Sequence, residues 1–312
     1  MADNIEFRKL KRRLDKASDE REKMNLDVCV VGYGLMGRTH AEMYNANPYV
    51  KSITIIDPYL TFLDNKVYKK KIKFTGNITH KELFDIVSIC TPTSTHYELF
   101  RKYAKQTKAI LLEKPPALSV EEARKIQEIG SKLDLIVGCA FVERFNSEIK
   151  KFKEKIKNIK GDVNYYFTRI SPRPSKELWY SNETISGGLL LDLGIHDIDL
   201  VRWVIGKNFS DIRIKKEYNK INCKLSFPSN LIVNITLGWH DNKKFINTIY
   251  CKGKDFNIRL NTADLERERY PNAYKREIDN FVDLLKGKKN EFPLIEEGIG
   301  ALELITRIKQ YI

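Results

Sequence analysis

The chain has 312 residues, 42% of them hydrophobic, which is enough for two domains that each bury a core and excludes wholesale disorder. Lys plus Arg outnumber Asp plus Glu by 55 to 41, a net charge of +14, but the basic residues are mixed with core residues in KVYKKKIKF, KKFKEKIKNIK and KGKKN, without an aromatic-basic recognition motif. They read as a lysine-rich solvated surface that attracts anionic substrates and not as a nucleic-acid site; with no apolar run near the roughly 20 residues of a membrane span and no apolar signal core, the expectation is a soluble cytoplasmic protein.

Residues 1–26 form a charged N-terminal extension carrying both signs, read as a surface helix or frayed tail. From Asp27 to Phe145, apolar β-rich runs (DVCVVG, SITIID, DIVSICTP, AILLEKP, LIVGCAF) alternate with helical stretches, and the segment between SITIID and DIVSICTP is read as a helix-poor connection. Continuous apolar strands separated by helices predict a doubly wound parallel sheet covered on both faces. From residue 146 to 312 the rhythm changes. A basic helix precedes strand GDVNYYFTRI, a Pro- and Ser-rich loop and the run GGLLLDLGIHDIDLVRW; close-set strand candidates follow, predicting a mostly antiparallel sheet, and two helices close the chain. The five cysteines are dispersed and form no CxxC pair, so neither a metal site nor a disulfide framework is expected.

CVVGYGLMGRTH places Gly32, Gly34 and Gly37 in GxGxxG spacing between a strand and a helix. Gly32 permits the tight turn, Gly34 the approach of a pyrophosphate and Gly37 close helix packing, with Tyr33, Leu35 and Met36 completing the loop. The next strand ends at Asp57, twenty positions after Gly37, where a carboxylate accepts the ribose hydroxyls and repels a 2′-phosphate. NAD is therefore expected in preference to NADP. Thr91, Pro92 and Thr93 fall at the ligand edge of the sheet; His96 opens the following helix, with a cofactor contact as the other reading; Glu113 and Lys114 end the fifth strand on the same edge.

Within 187–203, Asp192, His196 and Asp199 recur at helical spacing as a polar stripe in an apolar run. Burying such groups costs several kcal/mol unless they are paired or used. Oxidation of a carbinol needs a proton acceptor, and imidazole, with an unperturbed pKa of about 6.5, suits that role at His196. Lys114 is placed to stabilise charge on the reacting oxygen or to accept the proton itself, and Asp192 to orient either; Asp199 is read as structural or as a support for the imidazole.

GxGxxG, Asp57, Glu113-Lys114-Pro115 and GG-x3-D-x3-H-x2-D, in this order, resemble the Gfo/Idh/MocA family of oxidoreductases over the chain from Asp27 to Ile312. The resemblance implies an N-terminal Rossmann domain, a second α/β domain with an open, mostly antiparallel sheet, and NAD(P)-linked oxidation or reduction of a sugar, cyclitol or sugar nucleotide. It further implies Lys114, Asp192 and His196 in the catalytic pocket, and a homodimer or homotetramer. Glu143-Arg144-Phe145-Asn146 is similar to the VERFNP segment of members acting at the 3-position of UDP-N-acetylglucosamine, although Ser147 replaces the Pro and Ala140 a Gly. On that ground Arg144 is expected at the substrate; in the following RISPRPSKELWY, which is similar to a Pro-rich substrate loop without matching it, Arg169, Arg173 and Lys176 are read as diphosphate contacts and Trp179 and Tyr180 as stacking on a base or sugar, with an ordinary exposed loop packed on the domain interface as the other reading. The leading expectation is a UDP-N-acetylhexosamine dehydrogenase. The alternatives are a myo-inositol or free-sugar dehydrogenase and, from another class, a non-catalytic NAD-sensing regulator.

Overall fold

The computed structural model describes residues 25–59, 70–76, 82–159, 161–241 and 244–312, so nearly all of the charged extension lies outside the described residues. Six parallel strands, β1 (Leu26–Val31), β2 (Val50–Ile56), β3 (Lys71–Thr75), β4 (Phe84–Ile89), β5 (Thr107–Glu113) and β6 (Ile136–Ala140), form one sheet in the order β3-β2-β1-β4-β5-β6. Val28, Val30, Ile86, Val87, Ile110 and Leu111 are fully buried, as strands covered on both faces must be. Helices α1 (Leu35–Ala46), α2 (His96–Tyr103) and α3 (Val120–Lys132) make the crossovers, and strand order reverses between β1 and β4, where the ligand crevice of a doubly wound sheet opens. The connection expected after β2 contains β3, paired in parallel with β2 from Ser52↔Lys71 to Ile56↔Thr75.

Asn146 caps α4 (Ser147–Ile156) through its side chain. The second sheet comprises β7 (Asn164–Pro172), β8 (Asp211–Glu217), β9 (Lys220–Phe227), β10 (Leu231–His240), β11 (Ile246–Lys252) and β12 (Asn257–Leu260), in the order β12-β11-β7-β10-β9-β8. All its pairings are antiparallel except β7 with β10. One face, carrying Tyr165, Phe167 and Ile235, is buried against α5 (Ile195–Val204); the other carries Tyr166 and Tyr250 stacked at 4.3 Å. After β12 come helices α6 (Thr262–Glu268), α7 (Tyr274–Leu285) and α8 (Ile295–Lys309).

Helices α7 and α8, expected with the second unit, return to cover the first sheet. The Cys139 N–H donates to Pro293 O, and a Cβ on Gly138 would sit 2.6 Å from Phe281 of α7. A Cβ on Gly298 of α8 would meet Cys139 and Pro116 at 2.8 Å, so the close fit of helix on sheet requires glycine there.

Candidate active site

The first wall of the site is the turn after β1. Gly32 has φ of +86°, and a Cβ on Gly37 would lie 1.8 Å from Gly32 O, so both positions demand glycine; the space beside Gly34 is open. Asp57 accepts from the Tyr33 N–H at 2.7 Å through Oδ2 and from the Tyr59 N–H at 2.8 Å through Oδ1, which fixes its carboxylate beside the glycine turn. Across the crevice, Thr91 Oγ1 and Thr95 Oγ1 are 2.7 Å apart. Gly32, Gly34, Leu35, Met36, Asp57, Thr91 and Pro92 line one cavity of about 810 Å³. Its volume, glycine turn, helix N-terminus and carboxylate fit a dinucleotide.

Several residues expected at the cofactor lie elsewhere. The Tyr33 ring is buried edge-on against Phe74, Thr93 is 2% exposed, and Glu113 turns away from the cavity to His40, 3.1 Å from Nε2. His96 is fully buried and meets two backbone carbonyls. Trp179 and Tyr180, expected at the substrate, line the dinucleotide cavity, because the loop before α5 reaches across to the first unit.

The second wall is the start of α5. Residues Leu190–Gly194 form a π-helical turn that carries Asp192. Lys114 Nζ donates to Asp192 O at 2.7 Å and to Asp192 Oδ1 at 3.1 Å, and the two side chains stay 20% and 22% exposed. His196 follows on α5, partly buried, with Nδ1 lacking a partner among the described residues. Burial, then the nearby charges of Lys114, Arg169 and Arg269, push its imidazole well below the usual value. His196 is thus neutral and able to accept a proton, next to a lysine able to stabilise an oxyanion.

Arg144 and Arg169 are corrections to the expected substrate contacts. Arg144 donates to Asp199 Oδ2 at 2.8 Å and to Glu297 Oε2 at 2.9 Å, and is 5% exposed. Arg169, 2% exposed, bonds Asp197 Oδ2 at 2.7 Å and lies 3.1 Å from Glu143 Oε1, which Arg269 also engages. A guanidinium this deep needs carboxylate partners, and these pairs leave neither arginine for a ligand. Asp199 pairs with Arg144 and does not orient His196, so the expected stripe divides: Asp192 serves the crevice and Asp199 the interior. Among the described residues no group of His, Cys, Asp or Glu side chains is placed to hold a metal ion.

Sequence reasoning missed the ion-paired layer under His196 (Glu143, Arg169, Asp197, Arg269) and the buried carboxyl of Glu277. Glu277 had a signal, since it stands four residues before Phe281 on the apolar face of its helix. The ion-paired layer joins residues from four separate segments, which no local pattern reveals.

The family model described as an oxidoreductase family with an NAD-binding Rossmann fold matches residues 26–141, and the model of the GFO/IDH/MocA C-terminal domain matches 155–254. The myo-inositol 2-dehydrogenase of Thermotoga maritima is 29% identical over 89% of this chain and 93% of its own. Among solved structures, myo-inositol 2-dehydrogenase from Lactobacillus plantarum superposes with a TM-score of 0.79 over 92% of this chain and 97% of that one, at 20% identity. The WlbA dehydrogenase of Thermus thermophilus, solved with NAD and UDP-GlcNAcA, gives 0.73 over 91% and 94%, at 19% identity. With a glycine turn and Asp57 on one wall, Lys114 joined to Asp192 on the other, and both domain models matched in order, the chain belongs to the Gfo/Idh/MocA family of NAD-linked oxidoreductases.

Proposed function

We propose that the protein is an NAD-dependent cyclitol dehydrogenase, oxidising a ring CH–OH of an inositol to the ketone. The observation that carries the chemistry is the Lys114 to Asp192 contact near a neutral His196, just past the carboxyl end of β5 on the ligand edge of the sheet. The substrate class follows the Thermotoga maritima relative, similar along nearly the whole of both chains. The nucleotide-sugar expectation loses its main support, because Arg144 of the ERFN segment is locked on Asp199 and Glu297 and the structure solved with UDP-GlcNAcA is like this chain in fold alone.

In this reading the carbinol loses a proton to His196 and a hydride from carbon, leaving a carbonyl. Lys114 donates a hydrogen bond to the reacting oxygen and stabilises the negative charge that develops as the proton leaves. Asp192 holds the Lys114 ammonium in place through both its carboxylate and its backbone carbonyl. NAD, when bound, supplies the hydride acceptor. Gly32, Gly34 and the start of α1 would hold the pyrophosphate, Asp57 the adenosine ribose, and Trp179 and Tyr180 would cover the cavity from the second unit.

The test is NADH formation followed by absorbance with myo-inositol, scyllo-inositol, glucose and UDP-N-acetylglucosamine. The highest kcat/KM is expected with an inositol; turnover confined to UDP-N-acetylglucosamine would reject the substrate assignment.

A further inference from the structure

Strands β4 and β5 pair in register as far as Ile89↔Leu112. Past that point the chain forms the Thr91-Pro92 turn of the cofactor cavity on one side and the Glu113-Lys114-Pro115 segment on the other. Two fully buried histidines span this gap. His96, the first residue of α2, has Nε2 2.9 Å from Thr91 O and Nδ1 3.0 Å from Pro115 O. His40, on α1, has Nδ1 3.5 Å from Cys90 Sγ and Nε2 3.1 Å from Glu113 Oε1. The helices that carry them belong to different apolar clusters, with Phe100 and Tyr103 of α2 in one and Ala41, Met43 and Tyr44 of α1 in the other. The gap is therefore braced from both faces of the sheet.

We propose that His40 and His96 are a pair of positioning residues that set the distance between the dinucleotide turn and the segment carrying Lys114. An imidazole suits this role because its two nitrogens sit on a rigid planar ring and address partners on two sides, whereas an asparagine or glutamine carries its donors on a single nitrogen. A neutral His96 ring donates to one of its two carbonyl partners and packs against the other without a hydrogen bond, and both rings are fully buried. The local geometry argues against a simple helix-opening role for His96. Thr95, the N-cap residue, makes no side-chain capping bond, and the His96 ring lies between the carbonyls of the two strand ends, donating to one of them, and not against its own helix. His40, on the opposite helix, has no capping role, since it lies mid-helix.

The consequence for Lys114 rests on its proposed catalytic role, so the primary readout is NAD affinity, which needs no substrate. NADH and NAD binding would be titrated by fluorescence and calorimetry with wild-type protein, His96→Ala, His40→Ala and the double variant, each checked by circular dichroism and thermal melting. His96→Asn and His40→Asn serve if an alanine variant fails to fold. The expected result is a rise of at least tenfold in the NAD Kd for each folded single variant, with the double variant losing less than the product of the two single losses, because both residues hold one gap. With an inositol substrate, kcat at saturation is expected to fall at least tenfold while the KM for the inositol changes less than threefold. A folded single variant that binds NAD within twofold of wild type would overturn the proposal, as would a double variant whose loss equals the product of the single losses.

Discussion

Among single residues, the proposed chemistry turns on the protonation of His196. Its imidazole is pushed well below 6.5 by burial and by Lys114, Arg169 and Arg269, so the reactive neutral form persists below the pH at which an ordinary histidine would be half protonated. The acid limb of kcat/KM assigned to His196 is therefore expected below pH 6.5, and His196→Gln should remove that limb and lower kcat roughly 100-fold or more. A limb centred at or above 6.5 would contradict the geometry. The same shift affects stability. The unfolded imidazole takes up a proton near 6.5 while the folded one does not, so this group's contribution is present above 6.5 and is lost as pH falls towards the folded value. Denaturant melts of wild type and His196→Gln should diverge in slope across that window, with wild type losing more on acidification. Asp57 governs the cofactor: Asp57→Ser should weaken NAD and strengthen NADP binding, and titration with both nucleotides checks it. The placement of Asp57 and Lys114 just past strand ends was legible in the sequence, and Asp192 and His196 stood out as polar residues at helical spacing in an apolar run. Arg144 and Arg169 were misread because sequence shows a charge but not its partner, and Asp199, Glu297, Asp197 and Glu143 claim both.

At the scale of elements, continuous apolar runs identified β1, β2, β4, β5 and β6, and their alternation with helices identified a parallel sheet. β3 was missed because KIKFT alternates lysine with apolar residues at an edge of the sheet, where a charged face is normal, and its lysines were counted as surface. The π turn at Leu190–Gly194 was equally hidden, since it interrupts an otherwise regular helical spacing. Helix α7 carries the clearest test at this scale. Glu277 is 0% exposed and neither carboxylate oxygen has a partner among the described residues. Burial, followed by Glu113 and Glu143, raises its carboxyl well above 4.5, so the folded protein holds a proton that the unfolded chain releases. The stability from this group is full below 4.5 and is lost as pH rises through the folded value. Glu277→Gln should be more stable than wild type by roughly 1–3 kcal/mol in alkaline buffer and nearly equal to it in acid, as read from denaturant melts. A destabilised variant at high pH would show that the carboxylate form is the one the helix needs.

Across the whole molecule, the candidate active site draws on both units. The first sheet supplies the dinucleotide turn and Lys114, the second unit supplies Asp192 and His196, and Trp179 and Tyr180 extend from the second unit over the cavity of the first. The division into two sheets was legible from the change in strand spacing. The return of α7 and α8 to the first sheet was not, because a helix's apolar stripe does not say which surface it covers. Placement of Trp179 in the cavity leads to a direct expectation: NADH should quench Trp179 emission with energy transfer into nicotinamide fluorescence, and Trp179→Ala should lose most of that signal while weakening NADH binding. The homodimer or homotetramer implied by the family resemblance is checked by light scattering, which a monomer would contradict.

Lys114, Asp192 and His196 are proposed to promote the oxidation of an inositol by NAD. Steady-state NADH formation from myo-inositol or scyllo-inositol, measured for wild type, Lys114→Ala and His196→Ala under saturating NAD, tests it most directly. The account predicts turnover by wild type and losses of roughly 100-fold to 10,000-fold in each variant, with NAD affinity largely retained. Variants that keep wild-type turnover, or a wild-type protein that binds NAD and oxidises neither inositol, would contradict it.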